Sequence, residues 1–253
     1  MSVNEKMAAI ADAIRGKTGG TEPLTLDQMA TEIAGIQVGA GSGGCSGFEY
    51  ANRLNKAFMY AEFPSGTELD IAFGSKVTSV HENISETFSF CFYRATGVRK
   101  IRFNKTPIYT SPYDMGYMFE SYNASSTELE IVDLSGFPQP VTPKNFQKTF
   151  YMCTKLREVV GEFDFSGCTN VSNCFFRCDL LESVCFKPGT IKLALSFVSS
   201  PNLTDETIQN IIDGLADLSG GTAQTLTLHA TVGAKLTDAQ KAAASAKNWT
   251  ISY

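Results

Sequence analysis

The sequence predicts an α/β solenoid: a stack of about six irregular coils, entered by an N-terminal helical hairpin and closed by a C-terminal α/β cap. Three observations predict it. A phrase centred on Phe recurs along the chain, each recurrence is followed by a short stretch alternating apolar and polar residues, and both ends replace the phrase with helical periodicity.

The phrase is plainest in "TFSFCFYRATGVRKIRF" (87–103) and "TFYMCTKLREVVGEFDF" (149–165). A search for Phe, a small or polar residue three positions on and an apolar residue beyond gives six anchors: Phe58, Phe88, Phe119, Phe150, Phe175 and Phe197. They step by 30, 31, 31, 25 and 22 residues. In the last three the gap from Phe to Leu is six; in the first three it is 11, 10 and 10, as if each coil held an insertion. A period of about 20–30 residues with recurring apolar positions is the pattern of a leucine-rich solenoid, whose coils bury their apolar faces only by stacking. The repeat predicts Phe88, Phe119, Phe150 and Phe175 in one internal column of a single right-handed stack spanning 48–253, with the repeats in 48–203. Cys91, Cys153 and Cys178 are predicted to share one buried position as small apolar residues. The stretches "VRKIRF" (98–103), "LEIVDLS" (129–135), "LREVVGEFDFS" (156–166) and "LESVCF" (181–186) read as the strands, one per coil.

Residues 1–37 read as two helices. Ser2 and Glu5 form a capping box, Met7, Ile10, Ala11 and Ile14 share a face, and "GKTGG" (16–20) stops the helix. Thr25 and Gln28 form a second box, and Leu26, Met29, Ile33 and Ile36 make a narrow stripe. Two such short helices bury too little to stand alone, so Ile10, Ile14, Leu26, Met29, Ile33 and Ile36 are candidate self-association residues. Capping of the solenoid is the alternative reading. Residues 38–47, "VGAGSGGCSG", contain G-x-G-x-x-G at Gly39, Gly41 and Gly44. A dinucleotide site needs a strand before that motif and a helix after it; here a helix precedes, and the segment reads as a flexible tether. Residues 204–253 read as the cap. Thr204 starts a helix with Ile208, Ile211, Ile212 and Leu215 on one face, "TLTLH" (225–229) is a strand, Thr237 and Gln240 form a capping box, and "NWTISY" (248–253) is a closing strand.

Composition narrows the function. The net charge of −5, with 19% charged residues, offers no basic stripe for a phosphate backbone, so no nucleic-acid partner is expected. No apolar run is long enough to insert in a membrane, and "MSVNEKMAAIADAIRGK" lacks the apolar core of a secretory signal, so folding in a cytoplasm is expected. The five N-x-S/T sequons at Asn83, Asn123, Asn170, Asn202 and Asn248 then read as chance. Seven Cys is an odd number and argues against a disulfide framework. Cys174, Cys178 and Cys185 are spaced C-x3-C-x6-C with no His nearby, which suits packing better than zinc. No nucleophile elbow, zinc helix or P-loop is present, so neither an enzyme nor a cofactor is expected. The best binding signal is "TPIYTSPYDMGYMFESYN" (106–123). Tyr gives contact area and a hydroxyl at low entropic cost, and Tyr109, Tyr113, Asp114 and Tyr117 are the candidate ligand residues. The competing reading is a longer coil whose tyrosines pack locally; Tyr122 takes the position three after the anchor Phe.

The wording F-x-x-C-x-x-L-x-x-V, present as "FYMCTKLREVV" and "FFRCDLLESV", resembles the BspA-type leucine-rich repeats of bacterial and phage surface proteins. "IADAIRGKTGGTEPLTLDQMATEIAGI" (10–36) is similar to an N-terminal segment of tail and baseplate proteins of phages that infect Gram-positive bacteria, and the C-terminal 50 residues are similar to their closing coils. This resemblance implies a virion tail component displayed for host contact. Its implied partners are a bacterial surface glycan or protein and other tail or baseplate proteins, and its implied assembly is a homo-oligomer, a trimer by analogy with tail tips. A structural baseplate subunit and a bacterial surface adhesin are the other readings.

Overall fold

The computed structural model describes residues 58–72, 88–105, 113–121 and 127–253. The helices and stripe of residues 1–37, the tether 38–47, Tyr109 and Tyr122 lie outside the described residues.

The backbone winds as a parallel β-solenoid of about four turns. Its main sheet has five strands, β1 (Glu62–Ala72), β2 (Thr96–Lys105), β4 (Ile131–Asp133), β6 (Glu158–Phe163) and β7 (Ser183–Phe186), in that order and all parallel. Two short strands, β3 (Tyr113–Asp114) and β5 (Pro143–Asn145), pair on another side of the coil. The predicted stretches therefore do become strands, one per pass. Their aliphatic residues meet in register: Leu69 faces Ile101, Ile101 faces Val132 and Val132 faces Val159, all buried. Alternation along each strand sends the charged neighbours outward. Between strands the described residues 58–203 form turns and no helix. Turns, not helices, return the chain between these strands, and Phe dominates the core column.

That column is a continuous stack of six rings. Phe58 stacks on Phe92 at 4.7 Å, Phe92 on Phe119 at 5.6 Å, Phe119 on Phe150 at 5.2 Å, Phe150 on Phe175 at 5.7 Å and Phe175 on Phe197 at 4.9 Å, with planes within 20°. The spacing follows the strand separation of about 4.8 Å, which sets neighbouring rings in offset-parallel contact. Phe92, not Phe88, holds the second rung, which corrects the predicted column. Phe88 sits four residues earlier and packs edge-on against Tyr113 and Phe103. With Phe92 as anchor, Ala95 and Val98 fall three and six residues on, as Cys153 and Leu156 follow Phe150. The same shift separates the thiols. Cys153 and Cys178 share the position three after the ring and donate to the Phe119 and Phe150 carbonyls of the preceding coil at 3.1 and 3.2 Å. Cys91 instead precedes its ring, in the place of Thr149 and Cys174. All three are buried and outside any disulfide, and burial pushes the Cys153 and Cys178 thiols far above the ordinary thiol range, which keeps them protonated.

Each ring sits in a turn closed by an i→i+3 hydrogen bond, such as Ala95 N–H to Phe92 O at 3.0 Å and Cys153 N–H to Phe150 O at 3.1 Å. A second turn precedes it by four residues, as in Cys91 N–H to Phe88 O at 3.1 Å. The third residue of these turns has positive φ: Tyr60, Phe90, Arg94, Tyr117, Lys148, Met152, Asn173 and Arg177. Glycine is the usual choice there. A bulky residue costs about 1–2 kcal/mol in that region, and for Tyr60, Phe90, Arg94, Tyr117, Lys148 and Met152 the ladder offsets this by giving the N–H a carbonyl on the next coil. Examples are Arg94 to Glu120 O at 2.8 Å and Met152 to Phe176 O at 2.7 Å. Glycine is needed at Gly97, where φ is +78° and a Cβ would lie 1.9 Å from the Phe63 carbonyl oxygen.

Beyond residue 203, α1 (Asp205–Gly214) packs Ile208, Ile211 and Ile212 inward and is capped by Thr204, whose hydroxyl accepts the Thr207 N–H. Lys247 donates to the Ile212 and Asp213 carbonyls at its C-terminus, the end where a cation is favourable. A three-stranded parallel sheet joins β8 (Leu195–Phe197), β9 (Gln224–Leu228) and β10 (Trp249–Ser252). Between β9 and β10 lie α2 (Ala230–Gly233) and α3 (Asp238–Ala246), the latter with both halves of the Thr237–Gln240 capping box. Trp249 donates its indole N–H to the Ala216 carbonyl at 2.9 Å. Among the described residues, no helix is long and apolar enough to cross a membrane.

Candidate binding surface

The two long faces of the solenoid differ in kind. On the sheet face, charges close on one another across the strands. Arg99 pairs with Glu68 on one side and with Glu130 at 3.3 Å on the other, and Arg157 pairs with Glu182 at 2.6 Å. A second row runs Asp70, Arg102, Asp133, with Arg102 Nε 3.1 Å from Asp133. Burial raises the Asp133 carboxyl, but the hydroxyl and N–H of Ser135 and the Arg102 guanidinium together hold it below the usual range. Asp164 repeats this balance with Ser166 and Lys187. Exposed pairs of this sort contribute little each, about 0–1 kcal/mol.

The turn face carries a ridge of aromatic and cationic side chains. Outside the ring stack lie Tyr93, Tyr151 and Phe176, one residue after a ring, Phe90, Tyr117 and Lys148, two before one, and Tyr60 and Arg94, two after one. Phe90 stacks on Tyr117 at 4.7 Å with planes 3° apart, and Tyr93 stands edge-on to Phe90 and to Tyr60. Arg94 lies over the Tyr93 ring at 4.7 Å and the Tyr60 ring at 5.8 Å. Lys148 lies 4.8 Å from the Tyr151 ring and 5.5 Å from that of Tyr117. Tyr151 stacks on Phe176 at 5.1 Å. Tyr60 and Phe176 at the two ends are 54% and 37% exposed, high for such large apolar side chains. These stacks and cation–π contacts, each about 0.5–1 kcal/mol at exposed sites, hold the side chains in one row and so pre-order the surface.

A carboxylate lies inside the ridge. Glu120 occupies the position after the Phe119 ring, in the column of Tyr93 and Tyr151, and is only 7% exposed. Its Oε1 is 4.0 Å from Lys148 Nζ, and its Oε2 is buried with no hydrogen-bond partner. Burial raises its carboxyl above the ordinary glutamate range, while Lys148 and Arg94 pull it back down. Its charge in turn helps raise the Tyr93 hydroxyl and the Cys153 thiol, each raised mainly by its own burial.

Of the sequence-predicted ligand residues among the described ones, only Tyr117 reaches this ridge. Tyr113 is 1% exposed and packs edge-on to Phe88 and Phe137; burial raises its hydroxyl. A ring so enclosed is core, which corrects its assignment as a contact. Asp114 also has a structural task. Its Oδ1 accepts the Gly116 N–H at 2.8 Å and the Asn145 amide at 3.0 Å. Asn145 and Asn170 accept the Gln147 and Ser172 N–H groups in the same way, one coil after another. The signal for this ladder was an Asp or Asn five residues before Phe119, Phe150 and Phe175. The residues missed by sequence reasoning were Phe90, Tyr93, Arg94, Glu120, Lys148, Tyr151 and Phe176. Their signal was a constant offset from the true anchor, hidden while Phe88 stood in for Phe92.

A small notch lined by Phe92, Val98, Phe119, Leu129, Ser121 and Thr127 brings no titratable side chain together. His229 accepts the Thr231 N–H at the start of α2. Among the described residues, no group of three or more His, Cys, Asp or Glu is placed to hold a metal ion. No protein-family model, curated protein or solved structure matches the chain.

Proposed function

We propose that this chain is a binding protein rather than an enzyme: a phage tail adhesin whose solenoid is presented to a bacterial envelope, with the turn-face ridge as the contact surface. The observation that carries the reading is the contrast between the two faces. The sheet face carries rows of ion pairs that run from strand to strand, whereas the ridge keeps large aromatic side chains at the surface with Arg94 and Lys148 laid over their rings. Pre-ordered Tyr and Arg side chains are favourable contact groups because little entropy is lost when they bind.

The finer architecture belongs to the same proposal. The coils are of the BspA leucine-rich kind and number about six, and residues 204–253 cap the stack. Residues 1–37 attach the protein to the tail and self-associate through Ile10, Ile14, Leu26, Met29, Ile33 and Ile36, most simply as a trimer. Several tethered faces then raise avidity without new contacts. The work is done without a cofactor.

Binding of labelled full-length protein to candidate host cells tests the reading. The double variant Tyr151→Ala/Phe176→Ala is expected to lose binding at least about tenfold, because aromatic anchors dominate such surfaces. The sheet-face variant Arg157→Ala is expected to bind as the parent does. Equal binding by all three proteins would refute the ridge. Incorporation into tails with no cell binding would favour a structural baseplate subunit.

A further inference from the structure

We infer that the C-terminal end of the ridge is a saccharide subsite: one neutral hexopyranose ring, with its hydroxyls at its edge, lies over Val198 between Phe176 and His229. The inference rests on the proposal that the turn face is the binding surface, and deepens it by naming the ligand class and the rung that receives it.

The outer column of the ridge follows the inner ring stack, one residue per coil. Tyr151, Phe176 and Val198 each come one residue after a stacked ring. Register carries the column one coil further: Phe197 pairs with Leu228, and His229 comes next. Phe176 lays one face on Tyr151 at 5.1 Å, with planes 19° apart. Its other face looks toward the coil of Val198, whose branched side chain is too short to cover a phenyl ring. The result is a rung open to solvent, with Phe176 37% and Val198 47% exposed. The coils of Phe176 and His229 are two strand separations apart, about 9.5 Å. A flat ring seated halfway stands about 4.8 Å from each, within the 4.7 to 5.7 Å that the inner rings keep. Hydrogen bonds fix the walls. The Met152 N–H donates to the Phe176 carbonyl at 2.7 Å, and the Ser200 hydroxyl ties the Val198 coil to the Cys178 carbonyl at 3.1 Å. His229 Nδ1 accepts the Thr231 N–H at 3.2 Å, which leaves Nε2 as its donor.

A hexopyranose with equatorial hydroxyls fits this rung in shape and in polarity. Its faces carry C–H groups, which pack on the electron-rich face of an aromatic ring. Its hydroxyls project at the edge, where the rung offers donors and acceptors. Ser196 and Ser199 border Val198 on its own coil. Arg177 and Asp179 follow Phe176, reach solvent, and pair with each other, Arg177 Nη2 lying 3.3 Å from Asp179 Oδ2. Such a pair sets a donor beside an acceptor, as two neighbouring hydroxyls require, and brings no net charge. Charge complementarity therefore favours a neutral sugar, since a uronate or a phosphate polymer would set an anion beside Asp179. An aromatic side chain of a protein would fill the rung but make no use of its polar rim.

The test is saturation-transfer nuclear magnetic resonance on the full chain, with cellotetraose as the probe and a galacturonate tetramer and a glycerol-phosphate polymer as comparisons. Cellotetraose is expected to bind, with transfer stronger at the axial ring protons than at the C6 methylene. Phe176→Ala is expected to weaken binding at least about tenfold, and Arg177→Ala by about two- to tenfold, the size of a lost hydrogen bond. Val198→Trp places a ring in the open rung and is expected to abolish binding. All three sites are exposed, and circular dichroism identifies any variant that fails to fold. No binding of cellotetraose to the parent, binding that Val198→Trp leaves unchanged, or tighter binding of either anionic polymer overturns the inference. Periodate treatment of host cells, which cleaves sugar diols, is expected to abolish attachment, and protease treatment to spare it; the reverse makes the occupant a protein and also overturns it. If Tyr151→Ala/Phe176→Ala loses cell binding while cellotetraose fails to bind, the ligand class is wrong and the surface stands. If that variant keeps cell binding, the surface itself is wrong.

Discussion

Replacing Phe150 by Ala removes the central rung of the ring stack. The ring is fully buried, lies parallel to Phe119 at 5.2 Å and Phe175 at 5.7 Å, and meets Phe146 edge-on at 5.8 Å. Truncating a buried Phe costs about 3–5 kcal/mol, from lost transfer energy and the cavity left behind. Two stacking contacts of about 0.5–1.5 kcal/mol each place this site toward the upper end. With a urea m-value of about 2–3 kcal/mol/M, the midpoint falls by roughly 1.5–2 M. Two probes sharpen the test. Trp249 is the sole tryptophan and is buried beyond the solenoid strands, so its fluorescence follows the C-terminal end while far-ultraviolet circular dichroism follows the whole. In a stacked array each coil is held by its neighbours, and loss of a central rung is expected to separate the two midpoints, with the fluorescence one moving less. Conservative double variants then test the register. Phe150→Leu with Phe175→Leu is expected to show a coupling of about 0.5–1.5 kcal/mol, and Phe150→Leu with Phe88→Leu none beyond about 0.5 kcal/mol. A loss below about 1.5 kcal/mol for Phe150→Ala, or equal couplings in the two pairs, would refute the stacked column.

Glu120→Gln is expected to be more stable than the parent at pH 7, with the gap closing near pH 4. The Glu120 carboxyl is raised in the folded state by burial, so the folded protein binds the proton more tightly than the unfolded one. Stability is then greatest below the unfolded value and falls as pH rises through the folded one; thermal unfolding of both proteins from pH 4 to 8 checks the sign. Gly97→Ala meets the Phe63 carbonyl and a φ of +78°, so it is expected to cost at least about 2 kcal/mol in urea unfolding, whereas Gly167→Ala, with open space around its Cβ position, is expected to be near neutral. Cys153, Cys174 and Cys178 are fully buried, with thiols raised far above normal, so alkylation followed by mass spectrometry is expected to leave them unmodified in native protein and label them after denaturation. Among the described cysteines, Cys185, which is partly exposed, is expected to react first.

Much of the fold was legible because a strand and a capped helix are local events. The alternation in "VRKIRF" and "LESVCF" could bury only one side of a strand. The helix of residues 205–214 announced itself through Thr204 and the spacing of its isoleucines. The recurrence of Phe implied coils that stack, since no single coil can bury such a ring alone. Register between coils was another matter. Phe88, Phe90 and Phe92 lie within five residues and each satisfies the local pattern, yet they end in three places: beside Tyr113, on the outer ridge and in the ring stack. Hydrogen bonds between coils, such as Phe92 N–H to Met118 O and Phe90 N–H to Gly116 O, separate them, and their partners lie more than 20 residues away. The same holds for Tyr113 and Tyr117, alike in sequence and opposite in burial, because a two-residue strand is too short for alternation to say which side faces in. Glu120 is the sharpest case. Nothing in "YMFESYN" marks a buried acid; its environment comes from Arg94 on the coil before and Lys148 on the coil after, groups that meet only when the coils stack.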